Sequence, residues 1–134
     1  MRTTLRSLLG TIVLTSLVLT LAGCGSRKKV YQGKLVQGGQ PVVVSDRGRI
    51  IINFYDEKDK DKTKPQPADA KQDGTFTLYG RERKGVTPGK YRVSMEAKDP
   101  YPNGADKFGG KFTPDKTTLT VEVGKGDLTI DVGK

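Results

Sequence analysis

From Val30 onward the chain alternates apolar and polar residues with a period of two, and that pattern restricts it to β-structure. Thr75-Phe-Thr-Leu-Tyr79 and Lys90-Tyr-Arg-Val-Ser-Met-Glu-Ala97 are the cleanest stretches. Successive side chains of a strand point to opposite faces, so such runs bury one face and wet the other. Phe76 and Leu78 therefore share a core face, as do Tyr91, Val93 and Met95. Arg49-Ile-Ile-Ile-Asn-Phe-Tyr55 is the strongest strand, being β-branched and aromatic throughout its middle. Its parity sends Ile50, Ile52 and Phe54 inward and Ile51, Asn53 and Tyr55 outward. No run after residue 24 repeats at helical spacing.

Turn chemistry divides the remaining strands. Val30-Tyr-Gln-Gly-Lys-Leu-Val36 ends at Gln37-Gly38-Gly39-Gln40-Pro41, whose glycines accept positive φ and whose proline stops pairing. Residues 42–44 are a second short strand or an edge continuation. Asp73-Gly74 between a weak strand over 68–72 and the 75–79 run predicts a hairpin. Thr87-Pro88-Gly89 fits a type II turn. Residues 117–123, 124–127 and 128–132 read as a closing hairpin with Leu119, Val121, Val123, Leu128, Ile130 and Val132 alternating. Asp56 to Lys64 carries four acids and four lysines, and reads as a solvated loop. Its spacing is not that of an EF-hand, and its lysines repel a cation. The predicted fold class is all-β, an antiparallel sandwich of roughly seven or eight strands after an N-terminal signal helix.

The N-terminus has the layout of an export signal. Arg2 and Arg6 are followed by an apolar run from Leu8 to Leu21, then by Ala22, Gly23 and Cys24. That run has 14 residues, against about 20 for a membrane-spanning helix. Leu21-Ala22-Gly23-Cys24 resembles the lipobox of bacterial lipoproteins, where the cysteine becomes lipid-modified. The resemblance implies a signal peptide over 1–23, a lipidated tether over 24–29 and a β-domain over 30–134. It implies lipidation at Cys24 and a place at the cell envelope, on the outer or the cytoplasmic membrane. Arg27, Lys28 and Lys29 compete with Arg2 and Arg6 in setting orientation, which keeps an uncleaved anchor helix as the other reading. Cys24 is the sole cysteine, so no intrachain disulfide forms and the core must suffice alone.

Composition bounds the chemistry. The chain has 24 Lys and Arg against 15 Asp and Glu, a formal charge of +9. Such a balance suits anionic lipid or acidic glycan, and an exported chain without a recognition motif is not expected to meet nucleic acid. It has no histidine, the commonest general base and metal ligand. No nucleophile elbow, phosphate loop or zinc spacing occurs, and Ser45 and Ser94 have no activating partner in sequence. The expectation is a non-enzymatic protein with no catalytic residue, no metal and no cofactor.

Gly33-Lys-Leu-Val-Gln-Gly-Gly-Gln-Pro41, Asp73-Gly-Thr-Phe-Thr-Leu78 and Pro88-Gly-Lys-Tyr-Arg-Val93 occur in that order. They resemble the pattern of carboxypeptidase-regulatory-like domains, also called transthyretin-like or prealbumin-like. Phe108-Gly-Gly-Lys-Phe-Thr-Pro114 resembles a version common in small lipoproteins of Planctomycetes-type bacteria. The stretch from Val43 to Gly48 departs from the family pattern and leaves the register of the first strands open. The resemblance implies a seven-stranded sandwich that accompanies other functions, with no catalytic residue to transfer.

The expected function is a lipid-anchored envelope module, structural or binding, touching the membrane through its anchor. The alternative is a carbohydrate- or polyanion-binding protein, its partner an envelope glycan or anionic lipid. Residues 99–116 are the candidate for that role, because long irregular segments often carry function. Tyr101, Phe108, Lys111 and Phe112 are the candidate ligand-binding residues; the same aromatics also suit folding back to cap the sandwich.

Overall fold

The structure, a computed structural model, describes residues 27–133. The signal peptide, the signal helix and Cys24 lie outside the described residues. The described part is all-β and has no helix. Its strands are β1 (Tyr31–Gln37), β2 (Gln40–Pro41), β3 (Arg49–Asp56), β4 (Gln66–Ala70), β5 (Thr75–Leu78), β6 (Gly89–Lys98), β7 (Thr120–Val123) and β8 (Leu128–Asp131). Hydrogen bonds join them in the order β2-β1-β5-β4-β3-β6-β7, with β8 on the other edge of β1. Every pairing is antiparallel except β1 with β8. The sheet curls into a half-barrel, which buries one face of each strand against the others.

The inward residues are those the alternation names. Ile52, Phe54, Leu78 and Val93 are fully buried, and Ile50, Phe76, Tyr91 and Met95 nearly so. Phe54 sits at the centre, with its ring 6.0 Å from Phe76 and 6.2 Å from Tyr91. Gly33 lies opposite Phe76 in the β1–β5 ladder, and a Cβ there would stand 2.6 Å from Phe76 Cε2. The missing side chain lets the phenyl ring lie flat on the β1 backbone. Gly38 and Gly39 turn the chain between β1 and β2 at φ of 58° and 80°, values that two-residue hairpins of this hand require.

Several expectations change. The last two strands form no hairpin: β7 pairs with β6, while β8 runs parallel to β1 at the opposite end of the sheet. Residues 124–127 therefore carry the chain across the open side of the half-barrel, and β8 covers an edge of β1. Residues 42–44 are no strand of their own but continue the edge past β2, with Val42 and Val44 buried and bonded to Leu35 and Gln72. Strand β4 starts at Gln66, two residues before the expected run, and so includes Pro67 near its beginning, where a missing donor is tolerated. Tyr55 has outward parity yet is only 6% exposed, because the Arg92 guanidinium stacks 4.6 Å from its ring centre.

The Thr87-Pro88-Gly89 segment is held by a device other than a type II turn. Gly89 has φ of 151°, far from the roughly +80° of that turn, and already belongs to β6. The buried Tyr91 hydroxyl donates to the Thr87 carbonyl at 2.7 Å. This is a tyrosine corner, a backbone tie at the entry of a strand. Burial pushes the Tyr91 hydroxyl pKa up.

Strand directions give the molecule two ends. β1 begins at Tyr31, next to the 80–86 segment, to which Lys29 pairs through Val86. It finishes at Gln37, beside the end of β8. Arg49 and Lys98 pair at that far end, where residues 99–116 begin.

Candidate functional site

Residues 99–116 sit at the far end, and much of their conformation follows from strand lengths. β6 has ten residues, but β7 pairs only with its first four, Gly89 to Arg92. The rest of that edge would present bare backbone groups, a template for unwanted pairing. Residues 106–119 occupy it instead. Val93 N donates to Leu119 O at 2.9 Å, Met95 N to Phe112 O at 2.8 Å and Ala97 N to Asp106 Oδ1 at 2.9 Å. In return, Thr117 Oγ1 donates to Val93 O at 2.6 Å and Lys107 N to Ala97 O at 2.8 Å. The segment is an irregular edge cover. Asp106 organises it, since its carboxylate also accepts from Phe108 N at 3.2 Å and Gly110 N at 2.8 Å.

That role divides the candidate residues. Phe108 is 5% exposed and belongs to the core; as a surface aromatic it is corrected. Phe112 is half-buried and meets it edge to face, with centroids 5.7 Å apart. Lys111 is exposed and pairs with no carboxylate among the described residues. These three, with Gln37, Lys107 and Val132, line a shallow groove of about 260 Å³. Pockets that enclose a drug-sized ligand start near 300 Å³, so this groove fits one ring of a larger molecule. Lys107 Nζ donates to Val43 O at 2.8 Å, which fixes its ammonium at the rim.

Tyr101 lines no part of that groove. It is 41% exposed and lies under the Arg49 guanidinium, 5.3 Å from the ring centre. Tyr101 N donates to Arg47 O at 2.8 Å, and Asp99 accepts from Ser45 N at 2.7 Å and Ser45 Oγ at 2.5 Å. The Ser45 hydroxyl and amide hold the Asp99 carboxyl below the usual carboxylate range. The far end thus carries an aromatic–arginine pair and a separate two-lysine groove. Gln37, Arg47 and Arg49 lie outside the candidate segment. They lie on other segments, and only the fold shows their proximity to residues 99–116.

No group of three or more metal-ligating side chains occurs among the described residues. In the 56–64 loop, the carboxylates of Asp56, Asp59 and Asp61 each accept from a backbone amide two residues ahead. Bonds from Thr63 and Lys64 lower the Asp61 pKa to about 2. These acids serve local turns.

No family model matches the chain. No curated protein matches it either. Among solved structures, it is similar to the crystal structure of a DUF3823 family protein from Parabacteroides merdae, at 19% sequence identity and a TM-score of 0.46. The match covers 79% of this chain and 45% of that one, so the chain spans less than half the length of that protein.

Proposed function

We propose that this protein is a lipid-anchored β-domain of the bacterial cell envelope, with a structural or binding role and no catalysis. The observation that carries the reading is Leu21-Ala22-Gly23-Cys24 behind an apolar run of 14 residues. A diacylglyceryl and N-acyl modification would hold the chain firmly, where one acyl chain binds only marginally. The domain supports a passive role, since its buried polar groups Ser94 and Thr117 lie in the strand framework and its edge cover. Mass spectrometry of the membrane fraction tests the anchor: Cys24 should be the acylated N-terminus. Recovery of the chain with an unacylated Cys24 refutes it.

A second reading, binding of an acidic glycan, is favoured by the far-end groove. A half-buried phenyl ring flanked by two ammonium groups and an amide offers stacking and donors together. Lys107→Gln with Lys111→Gln, and separately Phe112→Ala, should each weaken binding on a glycan array. Retention of binding by both variants removes this reading and leaves the structural one.

A further inference from the structure

The end of the domain next to the tether carries a basic cluster from two segments that the fold locks together, beside the 56–64 loop, whose four acids and four lysines cancel and which joins the same end where Glu57 N donates to Lys90 O. Lys29 N donates to Val86 O at 3.0 Å, and Val86 N donates to Lys29 O at 2.9 Å. This bridge fastens the tether to the loop formed by Gly80-Arg81-Glu82-Arg83-Lys84-Gly85. Gly85 packs on the Lys29 backbone so closely that a Cβ would overlap it. The loop has a defined shape. Arg83 takes φ of 55°, a left-handed value uncommon outside glycine. Its side chain is held by Tyr79, 4.5 Å from the ring centre, and by Asp69 at 3.1 Å. Lys28 pairs with Glu82 at 3.2 Å. Arg27, Lys29, Arg81 and Lys84 are exposed and have no carboxylate within ion-pair distance among the described residues.

We propose that this tether-end face docks on the anionic headgroups of the leaflet that holds the anchor, and that it stands the domain with its far end outward. The proposal rests on the reading of Cys24 as the lipidated residue. Covalent geometry supplies the proximity. Arg27 is three residues from Cys24 and Lys29 is five, so their Cα atoms lie at most about 11 and 18 Å from that of Cys24. The attraction of a basic residue to an anionic leaflet fades over a Debye length, about 8 Å at physiological ionic strength. The tether is therefore long enough to set the loop on the surface, and even fully extended it keeps Lys29 within little more than about two Debye lengths of the anchor. Attachment raises the effective concentration of the face, so even a weak contact is occupied. An acidic protein would need a complementary shape, whereas a leaflet needs only charge on one exposed end, which is what this loop offers.

The test uses residues 24–134, which contain all eight strands and the whole buried core. Free protein is sedimented with vesicles of pure phosphatidylcholine or of phosphatidylcholine with 30 mol% phosphatidylglycerol (about the anionic fraction that gives a strong surface potential). Binding to the anionic vesicles alone, lost in high salt, is expected. Each basic residue near such a surface strengthens binding about fivefold, so Arg81→Gln with Lys84→Gln should weaken it about 25-fold. Lys71→Gln, just past β4 at the far end and outside the groove, should leave it unchanged. In a second arm, Cys24 is coupled to a maleimide lipid, and trypsin cleavage after Arg81 and Lys84 should slow on anionic vesicles only. Equal binding to both vesicle types, equal effects of the two variants, or no protection after coupling overturns the proposal. The coupling supplies the anchor chemically, so absence of lipid on native Cys24 leaves these results intact and refutes the anchor separately.

Discussion

Replacing Tyr91 by Phe removes one oxygen and isolates one hydrogen bond. The ring is 1% exposed and packs against Phe54, and Phe keeps that packing. What is lost is the bond from the hydroxyl to Thr87 O at 2.7 Å. An ordinary bond contributes about 1 kcal/mol net, and leaving the partly buried Thr87 carbonyl unpaired adds to that, toward the lower end of the about 1–3 kcal/mol of a fully buried group. A loss of roughly 2 kcal/mol is expected. For a domain near 100 residues each 1 kcal/mol moves the midpoint by about 4–8 °C, so Tm should fall by about 8–16 °C. Urea denaturation should show a lower midpoint with an unchanged slope, the sign of a native-state effect. Thr87→Ala is the internal control. It deletes an Oγ at 3.3 Å from the Tyr91 oxygen but keeps the carbonyl, so its cost should be much smaller. The pH dependence gives an independent check. Burial raises the folded pKa of Tyr91 above its unfolded value, so its contribution is fully present below about pH 10 and is lost as pH rises through the folded value. Tyr91→Phe should remove that alkaline component. A Tyr91→Phe protein within 0.5 kcal/mol of wild type would refute the corner as a tie that holds the start of β6 (about the level of an ordinary surface change).

Gly33→Ala should destabilise by about 1–3 kcal/mol, because its methyl overlaps the Phe76 ring; adding Phe76→Leu should recover part of the loss, read as non-additivity in a urea double-mutant cycle. Asp106→Ala should speed amide exchange at Ala97, Phe108 and Gly110 at least tenfold while leaving β3 amides protected (a factor of ten is about 1.4 kcal/mol). Ser45→Ala should raise the Asp99 pKa toward the ordinary value by NMR titration. The depressed native value makes the Ser45–Asp99 contact stabilising above the unfolded pKa and lost as pH falls through the folded one, so Ser45→Ala should matter at pH 7 and progressively less as pH falls below the usual carboxylate range.

Alternation in the sequence was enough to identify the inner faces of β3, β5 and β6, because side-chain parity is local. Ile50, Ile52, Phe54, Phe76, Leu78, Tyr91, Val93 and Met95 all point where it sends them. Which strand pairs with which is not local. The Gly124-Lys125-Gly126-Asp127 segment has the composition of a hairpin turn, and nothing within it reports that β6 and β1 at opposite ends of the sheet take β7 and β8. The burial of Tyr55 likewise depends on Arg92, a strand away. At the candidate site the same division holds. Phe108 and Phe112 stand four apart in an irregular segment, and their placement follows from the length of β6 beyond β7, a tertiary fact. The Pro88-Gly89-Lys90-Tyr91 motif was visible as a pattern, while its cause, a hydroxyl reaching back four residues, needed coordinates.

The two basic ends of the domain cannot serve one partner at once. β1 runs from the tether side to the far side, and its seven residues span about 20 Å. That exceeds twice the Debye length at physiological ionic strength. A leaflet in contact with Arg81 and Lys84 therefore exerts little pull on Lys107 and Lys111 at the other end of the same strand. The charge at the tether end is pre-organised by the Lys29–Val86 bridge and by the fixed Arg83, and suits a planar, sequence-free surface. The charge at the far end flanks a ring-sized groove with a phenyl wall, and suits a ligand that presents a face as well as an anion. In the proposed anchored state, the first contact sets the orientation and leaves the groove exposed, away from the leaflet. Binding at the groove should then be as strong on anionic vesicles as on neutral ones, since the surface potential has decayed before it reaches Lys107.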